Sequence, residues 1–242
     1  EFTRRAVERG VVAVWGQGQP HTGPGDALLP FRDVMSALCG AAGGATPAGP
    51  EEGAAVEDGV VSLTARAVLD AGPLLIDTLV PGALLMEAAS RTCANRPSLL
   101  RRLGALARRR ALESLSSGVA REVLLGQCVA VLAQVASAAP LLVVLDDLQW
   151  ADASTIDLLA WLTHRIVHQR VLLLGTFRDT GLHEAAVVPL RELVHEVTRR
   201  AGRCEIALDR GQDAAFVDAL LDAEPNRLDA RFRAELLALT GG

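Results

Sequence analysis

Apolar residues along this chain form two kinds of pattern, short continuous runs and longer stretches with helical spacing. Three runs, at 11–15, 141–146 and 171–176, have strand length and no polar alternation, which is typical of strands covered on both faces in a parallel sheet. Around them, apolar positions recur every three or four residues, as in amphipathic helices. Strands alternating with helices predict an α/β fold with three layers around a parallel sheet.

The predicted helices are bounded by glycine, proline and capping residues. They cover 2–9, 31–38, 61–71, 82–93, 98–115, 120–138, 153–169, 190–201, 213–221 and 229–239, and a fourth short strand is predicted at 204–208. The Gly/Ala/Pro-rich segment 40–58 predicts a mobile surface excursion. The helices within about 60–138 are interpreted as a large helical insert, and the last two as the start of a helical lid.

Composition and charge exclude several classes of protein. The chain has 242 residues, 50% of them hydrophobic and 22% charged, which excludes a disordered chain, a collagen-like repeat and a small disulfide scaffold. A formal charge of −5 argues against direct coating of nucleic acid through bulk electrostatics. The four cysteines form no CxxC pair and no secretory signal opens the chain, so we predict a cytoplasmic protein.

The longest apolar stretch, 128–145, does not have the pattern of a membrane span. Gln134 and Pro140 interrupt it, and it runs directly into two aspartates. A helix followed by a buried strand accounts for it better. We therefore expect no membrane partner.

The main candidate for chemistry is the acidic pair Asp146 and Asp147, which follows the apolar run 141–145. Ligands of α/β sheets bind at the carboxyl ends of strands, and two adjacent acids repel each other unless a cation or water network uses them. In P-loop nucleotidases the first acid of such a pair holds Mg²⁺ on the phosphates, usually through water. The second can orient the attacking water. The alternative is a capped strand end in which Asp146 serves a turn.

The flanking residues strengthen the nucleotide interpretation. The segment 146–154, DDLQWADAS, resembles the Walker B region of AAA-type ATPases of the STAND class. These are origin-recognition-like P-loop modules of large bacterial regulators, including LuxR-type transcriptional activators. Further similarity lies at 15–17 (end of the second strand), 21–31 (the loop after it), 175–178 (the sensor strand) and 239–242 (the start of the lid motif). The resemblance implies a P-loop NTPase sheet that binds ATP and Mg²⁺.

One element of that family is missing from the chain. No G-x-x-x-x-G-K-[ST] motif occurs, and the sequence contains no lysine, so no Walker phosphate loop is present. In the family this loop lies upstream of the helix predicted at 2–9. We therefore expect a piece of a longer protein, with 1–210 an ATPase core lacking its first strand and phosphate loop and 211–242 the start of the lid. By itself this piece should be inactive.

The resemblance assigns roles to four residues. Asp146 would hold Mg²⁺ through water, Asp147 would activate the attacking water, and Arg178 would sense the γ-phosphate, which a guanidinium can bind in bidentate fashion. Arg178 could instead pair with Asp179 or a surface acid. Gln149 is a candidate to contact nucleotide or orient water, and a loop hydrogen bond is an equal alternative. Asp152 is predicted to be a helix N-cap.

Two weaker patterns remain. His164 and His168 have the i, i+4 spacing of a zinc pair, but no third ligand is evident in sequence and a solvated helix face is favoured. Five arginines, at 101, 102, 108, 109 and 110, are predicted to lie opposite the leucines of their helix. An exposed face or an interdomain contact is the favoured interpretation of this stripe, with phosphate-backbone binding as the alternative.

These observations lead to two functional hypotheses. The first is an ATP-binding and ATP-hydrolysing switch, in which the lid couples the nucleotide state to an output domain of the same parent chain. A DNA-binding output domain is one candidate, whereas direct nucleic acid binding by these residues is not expected. The second is a non-catalytic protein-interaction module that keeps the ATPase fold, with the insert as a partner surface.

Overall fold

The computed structural model describes residues 2–20, 27–40, 52–113, 121–178, 184–207, 213–222 and 229–240. The chain divides into two compact units, Glu1–His195 and Glu196–Gly242. The first unit holds the sheet and the helices packed on it. In the second, Arg233 binds Asp218 and Asp222 at 3.2 and 2.6 Å and so ties two helices together.

A three-stranded parallel sheet forms the centre of the first unit. Its strands are β1 (Val12–Gln17), β2 (Leu141–Asp146) and β3 (Val171–Gly175), in the order β1-β2-β3. Both pairings are parallel, with Val14 opposite Val143 and Val143 opposite Leu173. The predictions of an α/β fold, of parallel pairing and of a central acidic-pair strand are confirmed.

Ten helices are present in the described parts of the chain. They are α1 (Phe2–Val7), α2 (Leu29–Leu38), α3 (Glu52–Ala71), α4 (Gly82–Thr92), α5 (Pro97–Glu113), α6 (Arg121–Ala138), α7 (Ala153–Arg165), α8 (Glu184–Ala201), α9 (Asp213–Asp222) and α10 (Ala230–Thr240). Single 3-10 turns lie at Pro73–Leu75 and Leu148–Trp150. The helices predicted within 60–138 are therefore confirmed as elements.

The predicted fourth strand is wrong for the residues that are described. Residues 203–207 form no strand and are exposed, and residue 208 lies outside the described part. A short apolar run becomes a strand only when another strand satisfies its backbone groups, and this run has no such partner in the described structure. The edge of β3 that faces away from β2 therefore has no partner strand among the described residues.

Several element ends also differ from the predictions. The helix α3 begins at Glu52, so residues 52–58 are helical and not part of an excursion, while 41–51 lie outside the described residues. The helix α7 ends at Arg165, four residues earlier than predicted. β1 continues through Gly16 and Gln17, because both residues still pair with β2. These differences fall where sequence periodicity is weakest, at element ends.

Two glycines allow close approaches at the end of β1. A Cβ on Gly16 would lie 2.0 Å from the carbonyl oxygen of Pro30 at the start of α2, and one on Gly18 would lie 2.4 Å from the carbonyl oxygen of Asp147. Both neighbours are backbone atoms that a side chain cannot displace cheaply. Glycine is therefore required here for α2 and the turn after β2 to pack against β1.

One helix in the described residues, α6, is long and apolar enough to cross a membrane by length and composition. It packs instead against α3 and α7, and eight of its residues, including Cys128 and Leu132, are buried. These contacts account for its buried apolar residues, and the prediction that 128–145 is a helix followed by a buried strand is confirmed.

Candidate functional site

The carboxyl ends of the three strands bring together the predicted acids and several polar residues. Asp146 is the last residue of β2, and its Oδ1 accepts hydrogen bonds from the hydroxyl of Thr176 and from the backbone N–H of Asp147 (3.2 Å). Thr176 directly follows β3, and its hydroxyl oxygen also accepts from Asp147 N–H at 3.1 Å. The ends of β2 and β3 are thus joined by side-chain hydrogen bonds as well as by the sheet.

Asp147 is held in an unusual backbone conformation, with φ 54° and ψ 42°. This left-handed region is uncommon for residues other than glycine, although aspartate tolerates it better than most. The conformation ends the strand and starts the Leu148–Trp150 turn. In addition, Leu148 N–H donates to the carbonyl of Thr176 at 2.9 Å. The backbone turn therefore points the Asp147 carboxylate to the same edge as Gln17 at the end of β1.

Two glutamines bind the Asp147 carboxylate from opposite sides. Gln17 Nε2 donates to Oδ2 at 3.1 Å, and Gln149 Nε2 donates to Oδ1 at 2.8 Å. We call Gln17, Asp147 and Gln149 the amide clamp. Because both glutamine amides offer N–H groups to the carboxylate, the clamp favours its charged form.

The orientation of the Gln149 amide is determined by its two partners. Its Oε1 accepts from the backbone N–H of Arg178 at 3.1 Å, while its Nε2 donates to Asp147. A flipped amide would place oxygen against a carboxylate and N–H against N–H, both unfavourable. Gln149 is buried, with 4% of its surface exposed. The loop hydrogen bond weighed in the sequence analysis is therefore present, and any contact of Gln149 with nucleotide would require these bonds to change.

Hydrogen bonding determines the electrostatics of Asp147. Its pKa lies below the usual value, first because of the hydrogen bond from Gln149 and then because of that from Gln17. Burial opposes these two effects, and the Coulombic effect of Arg178, which also lowers the pKa, is smaller than the effect of burial. A lowered pKa keeps Asp147 ionised at neutral pH and makes it a weaker proton acceptor. The arrangement favours orientation of a water over strong general-base action.

A third carboxylate approaches the site from α2. Asp33 Oδ2 accepts from the backbone N–H of Gln17 at 3.3 Å. Burial raises the pKa of Asp33 above its usual value, and the Gln17 hydrogen bond only partly offsets this effect. Asp33 thus links α2 to the same residue of β1 that binds Asp147.

Asp152 is an N-cap, as predicted. It precedes α7, and its carboxylate accepts from Ser154 N–H at 2.9 Å and from the Thr155 hydroxyl. It also accepts from Leu28 N–H at 3.1 Å, just before α2. Burial acts to raise the pKa of Asp152, but these hydrogen bonds outweigh burial and lower it. The same carboxylate therefore caps one helix and anchors the entry to another.

Sequence analysis missed Gln17 and Thr176 as members of the site. Both are polar residues that directly end or follow an apolar strand. Their position at the ends of parallel strands was the available signal, since such ends meet at one sheet edge. What the sequence does not contain is the register, which puts Gln17 opposite Asp146.

The residues present fit a magnesium ion held mainly by water and phosphate. In the described part of the chain, hydrogen bonds engage Asp146 through Oδ1 only, so Oδ2 has a vacant acceptor position. No group of three or more metal-ligating His, Cys, Asp or Glu side chains occurs among the described residues. Mg²⁺ commonly keeps several waters and uses one or two carboxylates together with substrate phosphates. Asp146 would therefore be the protein ligand, directly or through water.

The two histidines do not lie together on one helix face. His164 lies in the last turn of α7, where its Nδ1 is 2.7 Å from the carbonyl oxygen of Ala160. His168 lies beyond the end of that helix, so the two side chains do not share the helical i, i+4 face. The predicted solvated helix face holds for His164, which is exposed on α7, but is wrong for His168, which is exposed beyond the end of the helix.

No protein-family model, curated protein or solved structure matches the chain. The parallel α/β sheet is compatible with a P-loop type of fold. The resemblance to STAND ATPases, together with the ATP and Mg²⁺ sites that it implies, stays a prediction.

Proposed function

We propose that this chain is part of an ATP-dependent switch of a multidomain cytoplasmic regulator, with Mg-ATP bound at the carboxyl edge of the sheet. The observation that carries the proposal is the convergence of Asp146, Asp147, Thr176 and Gln17 from three parallel strand ends. A parallel sheet that concentrates acids and hydrogen-bond donors at this edge is typical of phosphate-binding α/β proteins.

Each residue has a distinct task in this proposal. Asp146, oriented by the Thr176 hydroxyl, would be the protein ligand of Mg²⁺, which supplies positive charge to the phosphates. Asp147, held by its two glutamines, would orient the water that attacks the γ-phosphate. The backbone of Arg178 is tied to Gln149, and its guanidinium would bind a γ-phosphate oxygen. Gain or loss of that contact would then shift Gln149 and Asp147, because hydrogen bonds connect Arg178 to Gln149 and Gln149 to Asp147.

The experiment that tests the site uses Mn²⁺, which prefers the same oxygen ligands as Mg²⁺. Mn²⁺ is titrated into the ¹⁵N-labelled chain, and paramagnetic broadening of amide resonances is recorded. We expect broadening centred on Gly18, Asp147 and Thr176, and its loss in Asp146→Asn. The matched control is Asp157→Asn on α7, which should leave the broadening unchanged. Broadening centred elsewhere, or unchanged in Asp146→Asn, would refute the proposed metal site.

One observation favours the second hypothesis, a nucleotide-fold module without turnover. Both carboxylate oxygens of Asp147 already accept amide hydrogen bonds, and the pKa of this group is lowered. The two hypotheses predict different ATP turnover in a parent protein that contains a phosphate loop. If Asp147 activates water, Asp147→Asn should reduce ATP turnover about 10²–10⁴-fold with nucleotide binding nearly intact, whereas Asp146→Asn should weaken Mg²⁺-dependent binding. Equal, measurable turnover in wild type and Asp147→Asn would exclude a catalytic role for Asp147, and no turnover in the wild-type parent would favour the non-catalytic module.

A further inference from the structure

The helix α5 has two chemically different faces. Leu99 and Leu103 are buried, and Arg110, two turns after Leu103, is buried on the same side. The prediction that all five arginines lie on the solvated face is therefore wrong for Arg110, because position 110 shares the helical phase of the leucines. The other four arginines, at 101, 102, 108 and 109, are exposed.

These four exposed arginines form two rows along the helix. Arg101 and Arg108 are seven residues apart, as are Arg102 and Arg109, and seven residues span about 10.5 Å of an α-helix. The residue between the rows, Ala105, is small and exposed. The result is a shallow strip with guanidinium groups on both sides.

Contacts with α3 extend this basic strip to a second helix. Arg96 NH1 donates to Ser62 Oγ at 3.3 Å, and Arg102 NH2 lies 3.5 Å from Asp70 Oδ1. Residue numbers increase in the same direction along α3 and along 96–102 between these two contacts. The exposed Arg66, midway between Ser62 and Asp70 on α3, therefore lies beside the start of α5. We call the six exposed arginines the arginine surface; they are Arg66, Arg96, Arg101, Arg102, Arg108 and Arg109.

Charge on this protein is distributed unevenly. α5 contains five arginines, of which Arg110 is buried, and one glutamate, a formal charge of +4 in 17 residues, whereas the whole chain has −5. On α3, Asp70 lies 3.5 Å from Arg102 and offsets one of these charges. The expectation of no nucleic acid contact rested on that net charge, which averages over the molecule. A local potential depends on nearby charges, because screening limits their range to about 10 Å at moderate salt.

We propose that the arginine surface binds the phosphate backbone of nucleic acid. Four exposed guanidinium groups lie within about 10 Å, and a molecule that binds all four must have a similar density of negative charge. A DNA duplex carries one negative charge per about 1.7 Å of its axis, or about six over that length. An acidic helix offers about two carboxylates per row over the same length, so it would need two such rows to match α5 and would not extend to Arg66 and Arg96 beside it. The density and extent of the arginines together therefore fit a polyphosphate better than an acidic peptide.

The experiment measures binding of fluorescein-labelled 20-base-pair duplexes of random sequence, one of DNA and one of RNA, by fluorescence anisotropy between 50 and 200 mM NaCl. Four phosphate contacts give a slope of log K against log salt of about −3.6, an affinity loss of about 150-fold over this range. In Arg101→Ala/Arg108→Ala, two contacts are removed, so the slope should become about −1.8 and the loss about 12-fold.

Several controls make the result specific. Arg199→Ala/Arg203→Ala removes the same charge from exposed positions outside α3 and α5 and should retain the wild-type slope. Arg101→Lys/Arg108→Lys keeps the charge on α5 and should also retain the wild-type slope. This variant separates the loss of phosphate contacts from the effect of substituting these two helix positions. A preference of the wild type for one duplex would identify that nucleic acid as the partner.

Three outcomes would overturn the proposal. The first is failure of the wild type to bind either duplex at 50 mM salt. The second is an equal loss of slope in the Arg199→Ala/Arg203→Ala control. The third is displacement of the duplex by poly-L-glutamate at equal charge concentration, which would assign the surface to an acidic protein. The test needs no nucleotide or metal, so its result does not depend on the proposed switch.

Discussion

Asp147 illustrates how neighbouring residues set the chemistry of a single side chain. Its two amide donors lie at the end of β1 and in the turn after β2, and their hydrogen bonds lower its pKa. An aspartate in this position is a stable, ionised acceptor. At the residue scale, the amide clamp is therefore the feature that most directly controls the site.

The clamp predicts a ranked change in the pKa of Asp147. Gln149→Leu and Gln17→Leu each remove one hydrogen bond that favours the charged form, so each should raise this pKa. The increase should be larger for Gln149→Leu, because the Gln149 hydrogen bond has the larger effect. NMR titration of the Asp147 side-chain carboxyl carbon measures the values directly.

The control for this ranking is Gln134→Leu, a substitution at an exposed position of α6 that should leave the Asp147 pKa unchanged. The opposite order of the two clamp variants would mean that the Gln17 contact dominates in solution. No change in either variant would contradict the clamp.

At the scale of elements, the turn after β2 and the start of α2 depend on close backbone approaches to β1. Gly16→Ala would place a methyl group 2.0 Å from the Pro30 carbonyl oxygen. Relief requires backbone movement, so we expect a loss of about 1–3 kcal/mol in the free energy of unfolding. Urea denaturation followed by circular dichroism measures this loss.

A matched glycine-to-alanine change is available at Gly59 in α3, where a Cβ would have no neighbour within 4 Å. Alanine has the higher helix propensity, so Gly59→Ala should stabilise the protein by about 0.5–1 kcal/mol. If both substitutions changed stability in the same direction, the close approach at Gly16 would not be the cause.

Asp152 joins two elements, because it caps α7 and binds Leu28 N–H before α2. Asp152→Ala should cost about 1–2 kcal/mol at neutral pH. Since the pKa of Asp152 is lower in the folded state, its stabilisation is present above the usual carboxyl pKa and is lost as pH falls through the folded value. Unfolding curves of wild type and variant should therefore converge at acid pH.

The comparison for Asp152 is Asp157→Ala, which breaks an exposed ion pair with Arg121. Exposed pairs contribute about 0–1 kcal/mol, so this variant should unfold with nearly wild-type stability. A difference between wild type and Asp152→Ala that stayed constant down to the acid limit would show that the Asp152 charge is not what stabilises the cap.

At the scale of the whole molecule, one face of the sheet is only partly covered. Residues of α1 pack over Ala13, Leu142 and Val144, while Leu172 and Leu174 on β3 are 53% and 39% exposed. The outer side of β3 also has no described partner strand. Exposed apolar edge strands promote pairing between molecules, so we expect the isolated chain to self-associate.

Leu172→Lys should reduce this self-association, because a charge on an edge strand opposes pairing. Sedimentation velocity at increasing protein concentration measures it. Val167→Lys is the control, since Val167 is 69% exposed but precedes the strand. Equal suppression by both substitutions would attribute the effect to net charge instead of the edge, and no suppression by Leu172→Lys would rule out the edge as the contact.

Most of the secondary structure could be predicted from the sequence because it depends on local patterns. The apolar runs 141–145 and 171–174 have no polar interruption, and α6 is a much longer apolar segment, so strand and helix were distinguishable there by length. The cap at Asp152 was also visible, since N-capping acts within three residues. The prediction of a strand at 204–208 failed because a strand forms only beside a partner strand, and the presence of a partner strand is not a local property of the sequence.

The sequence by itself determined the order of elements and the placing of Asp146 and Asp147 at a strand end. Only the tertiary structure decided which residues meet those acids. Gln17 lies 130 positions from Asp147 and Thr176 lies 30 from Asp146, and parallel register alone brings them into hydrogen-bonding distance. Contacts between distant residues depend on packing and register, which no local pattern encodes.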